Sequence, residues 1–180
     1  GDHRIDSKDR VALGSAAPDF FGGFYTQFKY KGFALGAEFS YSKGNMAYNA
    51  VRNQLEGMNT LGNQSIAVLN RWSLDGQVTD MPRVQHNDPY RSTSFSERWL
   101  EDASYLRMKS VTLSYSFNKT VLNFFRSGTL YVSGENLLTA TKYLGLDPEF
   151  SYSYGEMSQG LDYAKMVQPK SVKFGVNLKF

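Results

Sequence analysis

The sequence predicts a mainly β protein: an antiparallel meander of about five long strands, a segment of a transmembrane β-barrel, with long extracellular loops containing short helices. Three observations lead there. Several stretches alternate strictly with a two-residue period, the composition is rich in Tyr, Phe and Gly, and short links between strands exchange regularly with long ones. The alternation is clearest in SVKFGVNLKF (Ser171 to Phe180), where Val172, Phe174, Val176, Leu178 and Phe180 are apolar and the residues between them polar or small. Successive side chains of a strand point to opposite faces, so one face is oily and the other wet. The run would rise roughly 34 Å at ~3.4 Å per residue. Tilted by about 45° it covers roughly 24 Å along a membrane normal, close to the ~25 Å apolar band of a membrane barrel. An ordinary half-buried strand alternates in the same way, so this stretch taken alone leaves both readings open.

Composition narrows the class. The chain has 180 residues, the size of one sizeable domain. Its aromatic share of 15% and its 16 glycines favour strands and turns over helices. Lys plus Arg is 20 against 17 for Asp plus Glu, an excess too small and too dispersed to argue for a nucleic-acid partner, and none is expected. Cysteine is absent, which rules out a disulfide scaffold, a thiolate metal site and a Cys nucleophile. A mean hydropathy of −0.43 and the lack of any long apolar run exclude a membrane-crossing helix but not a barrel, whose alternating strands average out. The chain opens on Gly1-Asp2 with no Met and no signal-peptide pattern, so a fragment or a processed chain is expected.

Taken in order, Asp2 to Arg10 reads as a charged loop; Asp2, Asp6 and Asp9 lack the spacing and the closing Glu of a calcium loop. Pro18 and the paired glycines before Phe24 mark the entry to a strand. Strands near 23–30 and 33–41 flank Lys31-Gly32, a two-residue hairpin connection. In the second, Phe33, Leu35, Ala37, Phe39 and Tyr41 share a face that ends in aromatics at both extremities, as where a barrel strand meets two interfaces. Met46, Asn49, Ala50, Asn53 and Gln54 have helical spacing and predict a short helix, with a second helical piece over Ile66 to Leu69. Asn70 to Asp102 is polar, long and punctuated by proline, which predicts a structureless, ligand-facing loop. A strand near 104–117 sets Val111, Leu113, Tyr115 and Phe117 against Ser110, Thr112, Ser114 and Ser116. Asn118 to Gly128 is a connection in which Val121, Leu122, Phe124 and Phe125 suit one helical turn. Strands near 129–138 and 171–180 follow, separated by a polar, Tyr-rich stretch. The short links thus fall at one end and the long loops, 42–103 and 139–170, at the other. Bacterial outer-membrane barrels have short periplasmic turns and long extracellular loops.

The runs NRWSLDGQVTDMPR (Asn70 to Arg83), SERWLEDASYLRMKSVTLSYSF (Ser96 to Phe117), LYVSGENLLTATKYLGLDPE (Leu130 to Glu149) and the terminal SVKFGVNLKF, with RIDSKDRVALGSAAPDFFGGF (Arg4 to Phe24) upstream, carry a family likeness. Together they resemble the C-terminal end of SusC/RagA-type TonB-dependent outer-membrane transporters of the Bacteroidetes. The resemblance covers nearly the whole chain and makes residues 1–180 a C-terminal barrel segment in the bacterial outer membrane. It implies a complete protein with a barrel of about 22 strands and an N-terminal plug, importing glycan or peptide fragments. Its implied partners are a SusD-like lipoprotein lid, the TonB complex and the barrel-assembly machinery. Plug and TonB box are missing here, so this segment is not expected to transport by itself. Its apolar face and its two unpaired edges are expected to promote self-association.

The residues point to no enzyme and no cofactor. His3 and His86 lie far apart, and neither a metalloprotease, a nucleophile-elbow nor a phosphate-loop motif is present. Glu97, Glu101 and Asp102 are carboxylates of the kind glycoside hydrolysis needs, but a solvated strand entrance explains them more simply. Binding fits better. Trp72, Tyr90, Tyr152 and Tyr154 are the substrate-contact candidates, because aromatic faces with polar tips in long loops suit sugar or peptide. Tyr163 lies in the same loops, whereas Trp99 and Tyr143 are expected to pack the loop base, and Asn136 to serve a turn or rim hydrogen bond. For the terminal strand the resemblance implies an assembly signal carried by Phe174, Val176, Leu178 and Phe180, read by strand pairing with alternate side-chain pockets. The competing reading is a soluble, β-rich carbohydrate- or peptide-binding module.

Overall fold

The structure is a computed structural model and describes residues 10–89, 91–118, 126–150 and 159–179. Its main body is a sheet of five strands, β1 (Phe20–Tyr30), β2 (Phe33–Lys43), β5 (Tyr105–Asn118), β6 (Ser127–Thr141) and β8 (Ser171–Lys179). They stand side by side in chain order, each antiparallel to the next. β1 starts at Phe20 and not at Gly23, and β6 extends through Thr141. At Lys31 and Gly32, φ is 45° and 88°; both residues take the left-handed conformation that a two-residue hairpin needs to match strand twist. The helical turn expected from Val121, Leu122, Phe124 and Phe125 falls outside the described residues.

Register turns the alternation of single strands into two continuous surfaces. One cross-strand row reads Phe28, Leu35, Leu113, Val132, Phe174, and the next Tyr30, Phe33, Tyr115, Leu130, Val176. The intervening row on the opposite face reads Lys29, Ala34, Ser114, Tyr131, Gly175. Phe24 stacks on Phe39 with centroids 4.8 Å apart, and Phe33 lies 4.6 Å from Tyr115. Across the polar face the Tyr131 ring lies over Gly175, where an added Cβ would meet the ring at 2.2 Å. A bulge shifts the β5–β6 register between Met108 and Ser110. Opposite it Asn136 adopts φ 51° and donates to the Pro169 carbonyl at 3.2 Å.

The buried core lies elsewhere, in the long loops. Loop 44–104 contains β3 (Met46–Asn49), α1 (Ala50–Glu56), a 3-10 turn at Ile66–Asn70, another at Glu97–Trp99, and β4 (Leu100–Asp102). Loop 142–170 contributes β7 (Leu161–Asp162). A second sheet of order β4-β3-β7 joins them. Two expectations are corrected. The segment from Met46 to Asn49 is a strand, not the beginning of a helix, because its backbone pairs with Leu100–Asp102. The helix begins at Ala50, after Asn49 Oδ1 has accepted the Arg52 amide at 2.9 Å, the ordinary N-cap arrangement. The stretch from Asn70 to Asp102 is also not structureless at its end, where Trp99 and β4 close the core.

Candidate functional site

The two long loops meet at the sheet's long-loop end and form a single cap. β3 pairs antiparallel with β4, and its other edge pairs parallel with β7, so a strand of the first loop is held between partners from both. Trp99 is 1% exposed, with the Arg52 guanidinium 5.8 Å from its ring and that of Arg98 at 5.0 Å. Arg52 also pairs with Glu56 at 2.9 Å and with Glu101 at 3.0 Å. Glu101 accepts in addition from Asn49 at 3.3 Å and, across to the second loop, from the Leu144 amide at 2.9 Å. The reading of Glu101 as part of a solvated entrance is therefore corrected: its carboxylate is the hub between the loops. The Tyr143 hydroxyl donates to Asp162 at 2.6 Å; burial first, and then the Asp162 carboxylate, push this phenol's pKa far up.

A second ionic group ties the cap to the barrel wall. Arg107, on β5, pairs with Asp147, and with Glu149 at 3.0 Å, while Lys109 pairs with Glu149 at 2.6 Å. Burial works to raise the Asp147 pKa, but the Arg107 guanidinium and the amides of Glu149 and Gln168 outweigh it and hold the carboxyl below its ordinary range. Farther out, Asp88 takes φ 44° between Asn87 at 62° and Arg91 at 57°. Its carboxylate accepts from the amides and hydroxyls of Ser92 and Thr93. Burial pushes upward, yet these four donors bring Asp88 down to about 2.

Among the described residues no group of His, Asp and Glu is placed to hold a metal ion. Of the substrate-contact candidates, Trp72 is half-buried; its amide donates to Met81 at 3.0 Å and its ring faces the Arg83 guanidinium at 5.8 Å. Tyr90, Tyr152 and Tyr154 lie outside the described residues, as do His3 and Phe180. Trp99 and Tyr143 are buried at the loop base. Phe174, Val176 and Leu178 project from β8, an edge strand, on the apolar face of the sheet, with Phe174 80% exposed. Sequence reasoning missed Arg107, Asp147 and Asp162. The only local signal for them was charge beside an apolar or proline neighbour, as in LRMK and LDPE.

No protein-family model matches the chain. The TonB-dependent receptor P3 of Formosa agariphila is 32% identical over the whole chain, which spans 18% of that protein. The TonB-dependent receptor SusC of Bacteroides thetaiotaomicron is 25% identical over the whole chain, which covers 17% of it. The structure of a RagAB peptide transporter superposes with TM-score 0.79 at 29% identity, over 98% of this chain and 19% of that one. The chain belongs with the SusC/RagA-type TonB-dependent receptors. A RagAB peptide importer in its open-open state agrees, with TM-score 0.74 and 30% identity. The SusC/RagA-type fold explains a sheet that is layered on neither face among the described residues. The five strands are adjacent staves of a barrel wall, with the oily rows outward and the Ser- and Thr-rich rows toward the lumen.

Proposed function

We propose that this chain supplies C-terminal staves and extracellular loops to an outer-membrane importer of glycan or peptide fragments, and that it does not transport by itself. The observation that carries the reading is a two-faced sheet whose long loops are folded together at one end. A soluble module would bury the row Phe28, Leu35, Leu113, Val132, Phe174, whereas Phe28 and Phe174 are 69% and 80% exposed. A barrel gives that row to lipid. In the complete protein a SusD-like lipoprotein would close over the loop end and the TonB complex would act from the short-turn side. Similarity to both SusC and the RagAB peptide importer supports importer function without choosing between glycan and peptide.

The test uses the full-length receptor. Uptake of labelled glycan and peptide fragments is measured in cells carrying Trp72→Ala, Tyr90→Ala or the pair Tyr152→Ala and Tyr154→Ala. Lower uptake of one cargo with normal receptor levels in the outer membrane identifies cargo and contact together; unchanged uptake of both removes these aromatics from the site. For assembly, Phe174→Ser and Phe180→Ser are expected to lower the fraction of receptor that reaches a folded state, through weaker pairing with the assembly machinery. Normal assembly of both would end the role proposed for this strand.

A further inference from the structure

We infer that the short-turn rim of the sheet binds the phosphate-bearing headgroups of anionic phospholipids, an inference that rests on the membrane-barrel reading above. The rim comprises the Lys31-Gly32 turn and the adjoining ends of the five strands. Its described cations are Lys29, Lys31, Arg126 and Lys179, all exposed. No Asp or Glu occurs in residues 20–37, 103–134 or 163–180. The nearest acidic side chains in the strands lie partway along β2 and β6, at Glu38 and Glu135; Glu38 stands roughly 17 Å from Phe33 along the strand. Lys43, Arg52, Arg107, Lys109 and Lys173 each meet a carboxylate. The four rim cations meet none among the described residues.

What identifies the occupant as lipid is the surface next to these charges. Tyr30, Phe33 and Tyr115 form an aromatic row on the outward face, immediately inside the rim. The Lys31 ammonium lies 5.2 Å from the centroid of the Tyr30 ring, so it is carried on that same outward side. An apolar ring with a polar tip and a cation just beyond it suits the level where acyl chains give way to headgroups. By register Lys29 and Lys179 lie with the lumen-facing rows, so the cations offered to lipid are Lys31 and Arg126. An acidic protein segment would match the charge but would leave the neighbouring rings without an apolar partner.

The test is native mass spectrometry of the full-length receptor extracted from its membrane in mild detergent, counting retained phosphatidylglycerol. It compares the parent, the rim variant Lys31→Gln/Arg126→Gln, and a loop-end control, Lys165→Gln/Lys170→Gln, whose lysines are equally exposed. A cation beside an anionic lipid surface is worth about fivefold in binding. The rim variant should lose about that much occupancy per cation removed, and the control should match the parent. Equal retention in all three forms overturns the inference, as does equal loss in both variants, or loss of a bound acidic protein with lipid retention unchanged. Heat-modifiable electrophoretic mobility reports the assembled barrel independently. A folded, inserted receptor without rim-dependent lipid overturns this inference alone, while a receptor absent from the membrane overturns the barrel reading and this one with it.

Discussion

In the barrel wall Phe28, Phe174 and Val176 are 69%, 80% and 59% exposed, whereas in the cap Ala103, Trp99 and Ala47 are 0%, 1% and 1% exposed. The wall is held by backbone ladders between neighbours, and its oily face is completed by lipid. The cap has little regular structure, yet among the described residues it holds nearly all the buried side chains and supplies a partner to most of the ion pairs. A stave therefore depends on its solvent, and a loop here depends on its core. This reverses the usual expectation that loops are the part of a protein without a core.

The strongest way to break the contrast is to remove the cap's centre. Trp99→Ala should cost about 3–5 kcal/mol and raise hydrogen exchange throughout β3, β4 and β7 while the five-stranded sheet keeps its protection. Loss of protection in the sheet as well would show that wall and cap are one cooperative unit. Arg107→Met leaves the buried Asp147 carboxylate without its guanidinium, at a cost of about 3–5 kcal/mol. The double change with Asp147→Leu should recover most of it, because the pair removed together leaves no charge unpaired. Both are read by protease cleavage within residues 142–150 of the membrane-inserted receptor. For the wall, Leu113→Arg should cost about 2–4 kcal/mol in the bilayer and lower the yield of inserted receptor. Ser114→Arg, one residue on and facing the lumen, should be tolerated. Equal effects of the two would contradict the assignment of faces.

Smaller effects test the cap's local devices. Asn49→Ala should cost about 1 kcal/mol through the lost N-cap, seen as faster exchange at the Arg52 and Asn53 amides. Acid should act on one loop first. Asp88 is held at about 2 when folded and lies near 4 when unfolded. Its stabilising contribution is therefore complete above about pH 4 and fades as pH falls toward about 2. Protection of the Ser92 and Thr93 amides, taken relative to their intrinsic exchange at each pH, should fall over that window in the parent; in Asp88→Asn it should be low throughout and indifferent to pH.

The wall was legible because its signal is local. Val111, Leu113, Tyr115 and Phe117 declare their shared face within a few residues, and any partner with the same period continues it. Strand ends were less legible, since Phe20 and Thr141 gain their places only from the neighbouring ladder. In the cap the deciding contacts are distant in sequence: Asn49 with Glu101, Arg107 with Asp147, Tyr143 with Asp162. No periodicity announces them, and Met46 to Asn49 carried a helical spacing that pairing with β4 overrode. Trp99 and Tyr143 were recognised as loop-base packing through the family likeness of their segments. Glu101 was misjudged because a carboxylate near a strand entrance reads as solvated until Arg52 is seen beside it.

The pairing of Tyr48 with Leu161 brings together residues separated by most of the chain. Closing so long a loop is entropically unfavourable unless the intervening segment is already ordered, and here that segment includes β5 and β6. The clasp between β3 and β7 should therefore be among the last contacts to form, after the staves beneath it are in register. Its closure would record that the neighbouring wall has been built.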